Sequence, residues 1–193
     1  MLNGPISSLA DEAPRAAEIV VLVGAPGTPD YEGLFRRWAG QWETAAKSAN
    51  AAYTMIGLDP STAMSDRARL EQWLKDADKT GPRELWLVLI GHGTFDRRVA
   101  KFNLRGPDVS TDDLKEWIKP IERPVVVIDT SAASAPFLTQ LAGPNRVIVS
   151  ATKSGSEQNF ARFGGFLAEA LVDPSSDLDK DDQVSLWEAF LAG

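Results

Sequence analysis

Three observations predict an α/β architecture, a predominantly parallel sheet with helices on both faces. Five short apolar runs lack the in–out alternation of a half-exposed strand: Glu18–Val23, Ala51–Leu58, Glu84–Ile90, Val125–Asp129 and Arg146–Ser150. Segments of helical period separate most of them, which is the order that builds parallel sheets. Two of the runs also end on side chains with chemical potential, Ile90-Gly91-His92-Gly93 and Ile128-Asp129-Thr130-Ser131. Open α/β sheets bind their ligands at that carboxyl edge.

Each element has its own signal. Residues 1–17 read as a polar leader ahead of the first strand, which stops at Gly24-Ala25-Pro26-Gly27. A helix follows over Asp30–Asn50, with Leu34, Trp38, Trp42 and Ala45 on one face. Ser65 is placed to cap a helix running to about Lys79, with Leu70, Trp73, Leu74 and Ala77 inward. Residues 95–109 carry no helical period, and the alternation over Val99–Leu104 predicts a small hairpin. Ser110 then caps a helix to Ile118. A short helix over Ala135–Leu141, a longer one over Glu157–Leu171, and a terminal helix after Ser185 complete the chain. The division that follows is a leader at 1–17, an α/β domain at 18–171 and an acidic loop with the start of a helix at 172–193. That last helical pattern breaks off early, as in a piece of a longer protein. Right-handed crossovers predict a flavodoxin-like strand order, with the third strand beside the first and the fourth beyond it.

Composition narrows the function. The chain has 193 residues, enough for one domain burying roughly 70% of its unfolded surface. A net charge of -7, with basic residues scattered among acids, excludes a nucleic-acid surface built on clustered Lys and Arg. No apolar run approaches the ~20 residues of a membrane span. There is no cysteine, hence no disulfide and no thiol nucleophile. Of the six tryptophans, Trp38, Trp42, Trp73 and Trp117 fit core packing at helix spacing and Trp86 lies in a strand. Gly24-Ala25-Pro26-Gly27-Thr28 lacks the Gly-Lys-Ser/Thr ending of a phosphate loop and reads as a turn.

The order of elements around His92, the single histidine, resembles that of the caspase/legumain class of cysteine peptidases, the legumain branch in particular. His92-Gly93 stands where that family carries its catalytic His-Gly, and Phe102-Asn103-Leu104 through Ser110–Leu114 follows as the family's hairpin and helix do. Asp129, Thr130, Ser131 and Phe137 match the family's elbow of acid, small residue, nucleophile and a phenylalanine six positions on. The resemblance covers residues 18–171. It implies a three-layer caspase-like fold, a catalytic pair at His92 and Ser131, and a substrate pocket including Asp129, Ser134, Ala151 and Thr152.

The departures bear on activity. The nucleophile position holds Ser131 instead of Cys, and Ala25-Pro26-Gly27 stands where the family carries an asparagine. A thiol with pKa near ~8.5 is readily kept as thiolate beside a histidine. A serine hydroxyl needs an oriented base that takes its proton in the transition state. Three readings follow: an inactive peptidase-like domain that binds a peptide or protein, a hydrolase in which Ser131 or Ser134 forms a dyad with His92, or a plain strand-to-loop turn. Oligomeric state has no signal in the sequence.

A second motif lies at Asp177–Glu188. Asp177, Asp179, Asp181 and Glu188 occupy positions one, three, five and twelve of a twelve-residue loop, with the Gln183 carbonyl at seven and Val184 at eight. That is the spacing of an EF-hand calcium loop. Asp182 stands at position six, where glycine supplies the turn, and Pro174-Ser175-Ser176 interrupts any entering helix. The expectation is one structural Ca2+ ion of weak affinity, or else a solvated acidic turn. Weak calcium binding would favour an extracytoplasmic home.

Overall fold

The computed structural model describes residues 16–59, 63–157 and 162–193. Its centre is a five-stranded, all-parallel sheet of β1 (Ala17–Val23), β2 (Ala52–Ile56), β3 (Glu84–Ile90), β7 (Val125–Asp129) and β8 (Arg146–Ser150). The order is β2-β1-β3-β7-β8, so the third strand lies beside the first and the next strand lies beyond it. β4 (Gly93–Phe95), β5 (Ala100–Phe102) and β6 (Val109–Ser110) form a separate antiparallel sheet. The predicted hairpin therefore has a third strand.

Helices make the outer layers, and the pleat divides the core. Val20, Leu22, Leu87, Leu89, Val125 and Val127 face α2 (Asp66–Asp76), α3 (Thr111–Ile118) and α4 (Ala135–Leu141). Val21, Val23, Val88, Ile90, Val126 and Ile128 face α1 (Pro29–Ser48), α5 (Phe163–Ala170) and α6 (Leu186–Ala192). Strands covered on both sides need no polar alternation, which is why their runs are apolar throughout. The result is a three-layer α/β fold.

Several boundaries follow local chemistry. Ser65 Oγ accepts from the Ala68 N–H at the start of α2. That helix ends at Asp76 rather than Lys79, because the Lys79 ammonium turns back onto the carbonyls of Leu74, Lys75 and Ala77. Ser110 and Ser185 each form a reciprocal capping box, with Asp113 and Glu188 respectively. Arg67 fastens α2 to α3 through a 2.7 Å bond to Asp113 and stacks 5.0 Å from the Trp117 ring.

Three expectations need correction. The buried stripe of α1 runs through Phe35, Trp38, Ala39, Trp42 and Ala46, leaving Leu34 and Ala45 half-buried. Leu34 and Ala45 lie on the flank of the stripe centred on Phe35 and Trp42. The helix expected from Glu157 begins at Phe163. Glu157 instead accepts from the Lys153 and Ser154 N–H groups and closes the turn after β8, and 158–161 lie outside the described residues. β1 starts at Ala17, within the expected leader, whose first 15 residues lie outside the described ones. The segment after residue 172 closes onto the domain through Ala189, buried against α1 and α5.

Candidate functional site

Both strand ends singled out in the sequence meet at the carboxyl edge. β3 and β7 are neighbours with Leu89 opposite Asp129, and Asp129 is opposite Ser150 on β8. Beyond Asp129 the chain turns sharply. The Thr130 N–H and hydroxyl both bond the Leu89 carbonyl, at 3.0 and 2.8 Å. Asp129, Thr130, Ser131 and Ser134 are all buried.

The two glycines around His92 are demanded by close approach. A Cβ at residue 91 would lie 2.8 Å from the Phe102 ring and 3.1 Å from Gly24 Cα. One at residue 93 would meet Ser131 Oγ at 2.6 Å and Ala133 at 3.2 Å. Ser131 is thus seated directly beneath the backbone of residue 93. Its hydroxyl is fully buried, and Oγ has no hydrogen-bond partner. Its N–H is taken by Asp129 Oδ1 at 2.8 Å.

His92 sits at the same edge but its ring is held from the α1 side. Nε2 lies 3.2 Å from the Pro26 carbonyl oxygen. The rings of Tyr31 and Phe35 pack edge-on against the imidazole, with centroids 4.7 and 5.4 Å away. Sequence reasoning missed this aromatic pair. Its signal was the i, i+4 spacing of Tyr31 and Phe35 in the first turns of the helix after β1.

Asp129 is the chemically unusual group of the elbow. Burial pushes its carboxyl up to about 6, against the lowering effect of the Ser131 backbone N–H and the nearby Ser131 hydroxyl. That hydroxyl is close enough to temper the rise, yet neither Oγ nor Asp129 Oδ2 closes a hydrogen bond of ordinary geometry. Two polar atoms therefore stand unpaired in the buried elbow.

Ser134, Ala151 and Thr152 come together as well, in a network that satisfies itself. Ser134 Oγ accepts from the N–H groups of Ala151 and Thr152 at 3.0 and 3.1 Å and lies 3.1 Å from Thr152 Oγ1. Thr152 Oγ1 in turn accepts from the Ala135 N–H at 3.2 Å, at the start of α4. These contacts tie the elbow to the exit of β8. The two serines should consequently behave differently. Ser134→Ala strands two backbone N–H groups and is expected to lower unfolding stability by about 2 kcal/mol, whereas Ser131→Ala removes a hydroxyl that closes no hydrogen bond and only tempers the Asp129 charge, so it should cost clearly less. Urea titrations of both variants at constant m-value check this, and equal losses would contradict the assignment.

The acidic loop folds around its own first and last residues. Asp177 Oδ1 accepts from the N–H groups of Lys180 and Asp181, and Oδ2 from that of Asp182. Glu188 Oε1 accepts from Leu178 and Asp179, and Oε2 from the Ser185 N–H and hydroxyl. These bonds hold the Glu188 carboxyl at about 2, well below the usual range. Carboxylate oxygens of Asp177, Asp179 and Glu188 lie within 4.8 Å of one another. Asp181 instead accepts from the Gln183 N–H, and Asp182 takes the left-handed conformation, φ 67°, of the glycine position.

This fold is shared with known structures. The crystal structure of the Drosophila initiator caspase Dronc superposes with a TM-score of 0.56 at 12% sequence identity, covering 83% of this chain and 66% of that one. The chain has a caspase-like fold. No protein-family model and no curated protein sequence matches it. Among the described residues no helix is long and apolar enough to cross a membrane.

Proposed function

We propose that the chain is a peptidase-related domain that does not turn over peptides and acts as a binding or scaffold module, nearer to the legumain branch than to the caspases proper. The closed elbow carries this reading. Acyl transfer needs a nucleophile within reach of its base, and a free N–H beside it for the developing oxyanion. Ser131 is fully buried beneath Gly93, its hydroxyl bonds no base, and its own N–H is occupied by Asp129. The sequence adds the missing thiol and the Ala25-Pro26-Gly27 replacement.

The test is covalent labelling. A serine-reactive fluorophosphonate should leave the protein unmodified, and Ser131→Cys should gain no peptide cleavage. An adduct that depends on both Ser131 and His92 would establish the Ser131–His92 hydrolase instead. Cleavage by Ser131→Cys would mean that only the sulfur is missing.

Structural calcium at the acidic loop belongs to the same reading. Asp177, Asp179 and Glu188 offer converging hard oxygens, with Asp181 and the Gln183 carbonyl as further ligands along the wrap. Each carboxylate retains lone pairs beyond those given to the loop N–H groups. The left-handed Asp182 supports the fit, because the twelve-residue wrap needs that conformation at its sixth position. A lone loop without the glycine binds weakly, with Kd on the order of 10⁻⁵ to 10⁻³ M. It fills where calcium is abundant, and that supports an extracytoplasmic home.

A further inference from the structure

A parallel sheet of apolar strands requires cover on both faces, and here the described residues cover one face incompletely. α1 spans β1 and β3, while α5 and α6 pack at its side. Between them a groove of about 1470 Å3 remains open. Its floor is Trp86, Val126, Val147 and Val149, and Trp187 and Phe190 of α6 form one wall. The register places Val147 beside Val126 and Val149 beside Ile128, on the face that α1 and α5 cover elsewhere. Val147 is 50% exposed and Trp187 66%, and the Trp187 and Phe190 rings stack at 6.0 Å with 12° between planes. Contiguous apolar surface of this kind marks an interaction site.

We infer that this groove docks an amphipathic helix of a partner protein, apolar on one face and rich in Lys and Arg along its flanks. The volume suits it. A cylinder about 10 Å across, with a rise of 1.5 Å per residue, matches the groove's volume at roughly three turns, and the space continues round the β8 edge to Leu138 and Ile148. The rim sets the charge. Exposed Glu84 and Asp182 border the groove. Lys180 is the one cation among the described lining residues, against Glu84, Asp177 and Asp182, so the rim stays negative. Apolar anchors at helical spacing would supply affinity, and the flanking cations orientation and on-rate. The inference deepens the binding-module reading but rests on other residues, so fluorophosphonate labelling of the elbow and titration of the groove fail independently.

The experiment titrates the whole chain with a Trp-free helical peptide of Leu and Lys in amphipathic order, following the tryptophan emission. A peptide with Glu for every Lys is the control, and sedimentation reports the state of the free chain. The expected result is one-to-one binding of the Leu/Lys peptide, weakened by salt, with a blue shift of the emission. Val147→Glu and Trp187→Ala should each weaken it about tenfold or more. Both positions are surface-exposed, and circular dichroism verifies that the variants stay folded. Equal affinity for the two peptides, or binding insensitive to both variants, overturns the inference. So does a dimer that Val147→Glu dissolves, which assigns the groove to a second copy. Binding that appears only after removal of residues 2–15 assigns it to the chain's own leader and overturns it equally.

Discussion

Asp129→Asn is expected to stabilise the protein by about 2–3 kcal/mol at pH 8 and to leave its stability unchanged at pH 4. The carboxyl is buried at the end of β7 with Oδ2 unpaired, and burial raises its pKa from 3.8 to about 6. An acid with a raised folded-state pKa binds more protons in the folded than in the unfolded chain. Its contribution is therefore favourable below about pH 4 and is lost as pH rises towards 6. A shift of roughly two units corresponds to about 3 kcal/mol. Asparagine keeps an acceptor for the Ser131 N–H and carries no charge, so the variant loses the slope while retaining the turn. Among the described residues no charged side chain contributes to the Asp129 shift, so salt should have little effect on the difference. Urea titrations of both proteins from pH 4 to pH 8 measure it. Other carboxylates contribute equally to both chains and cancel in the subtraction. A difference that stays flat across that window would refute the buried, unpaired carboxyl.

Calcium at 10 mM is expected to raise the melting temperature by about 5–10 °C over the chelated protein. With Kd near 10⁻⁴ M this concentration is about 100 Kd, which stabilises the native state by about 2.7 kcal/mol. In a chain of this size each kcal/mol moves the transition by about 2–4 °C. Glu188→Ala should erase the shift. It also removes the acceptor of three backbone N–H groups and the Ser185 hydroxyl, so its baseline falls as well. Asp179→Asn is the cleaner variant, because the exposed Asp179 carboxylate does not join that lattice of hydrogen bonds. It should keep the baseline and reduce the calcium shift. Superimposed melts with calcium and with chelator would leave Glu188 as a helix cap alone. In that case its depressed pKa still has a signature: the cap stabilises fully above about pH 4.5, and that stability fades as pH falls towards 2.

Much of this architecture could be read from the chain. Elements announced by local chemistry came out where their residues placed them: β3 at Glu84–Ile90, α3 behind Ser110, and β7 ending on Asp129. Each is specified by features within a few residues, an apolar run or a capping side chain. Where a boundary depends on distant partners, local reading drifts. The buried stripe of α1 is set by Phe35 and Trp42, and Glu157 takes part in a turn after β8 instead of starting α5.

The site divides in the same way. That His92 and Ser131 share the carboxyl edge was legible, because β3 and β7 pair by the handedness of their crossovers. The aromatic clamp of Tyr31 and Phe35 was not, since it requires α1 to fold over the end of β1. Ser134 and Thr152 carry no local mark separating a pocket residue from a structural pin. Only the approach of the elbow to the exit of β8 gives the Ser134 hydroxyl two backbone donors.

By itself the sequence determined the elements, the parallel order of the sheet, the edge where chemistry would gather, the absence of a thiol and the ligand spacing of the acidic loop. These depend on periodicity, chirality and residue type, which are properties of neighbouring positions. The tertiary structure alone decided that Ser131 lies sealed beneath Gly93, that Asp129 retains an unpaired oxygen, and that Val147 and Trp187 border an open groove. Burial and hydrogen-bond satisfaction belong to pairs of segments far apart in the chain. They exist only once close packing has brought those segments together.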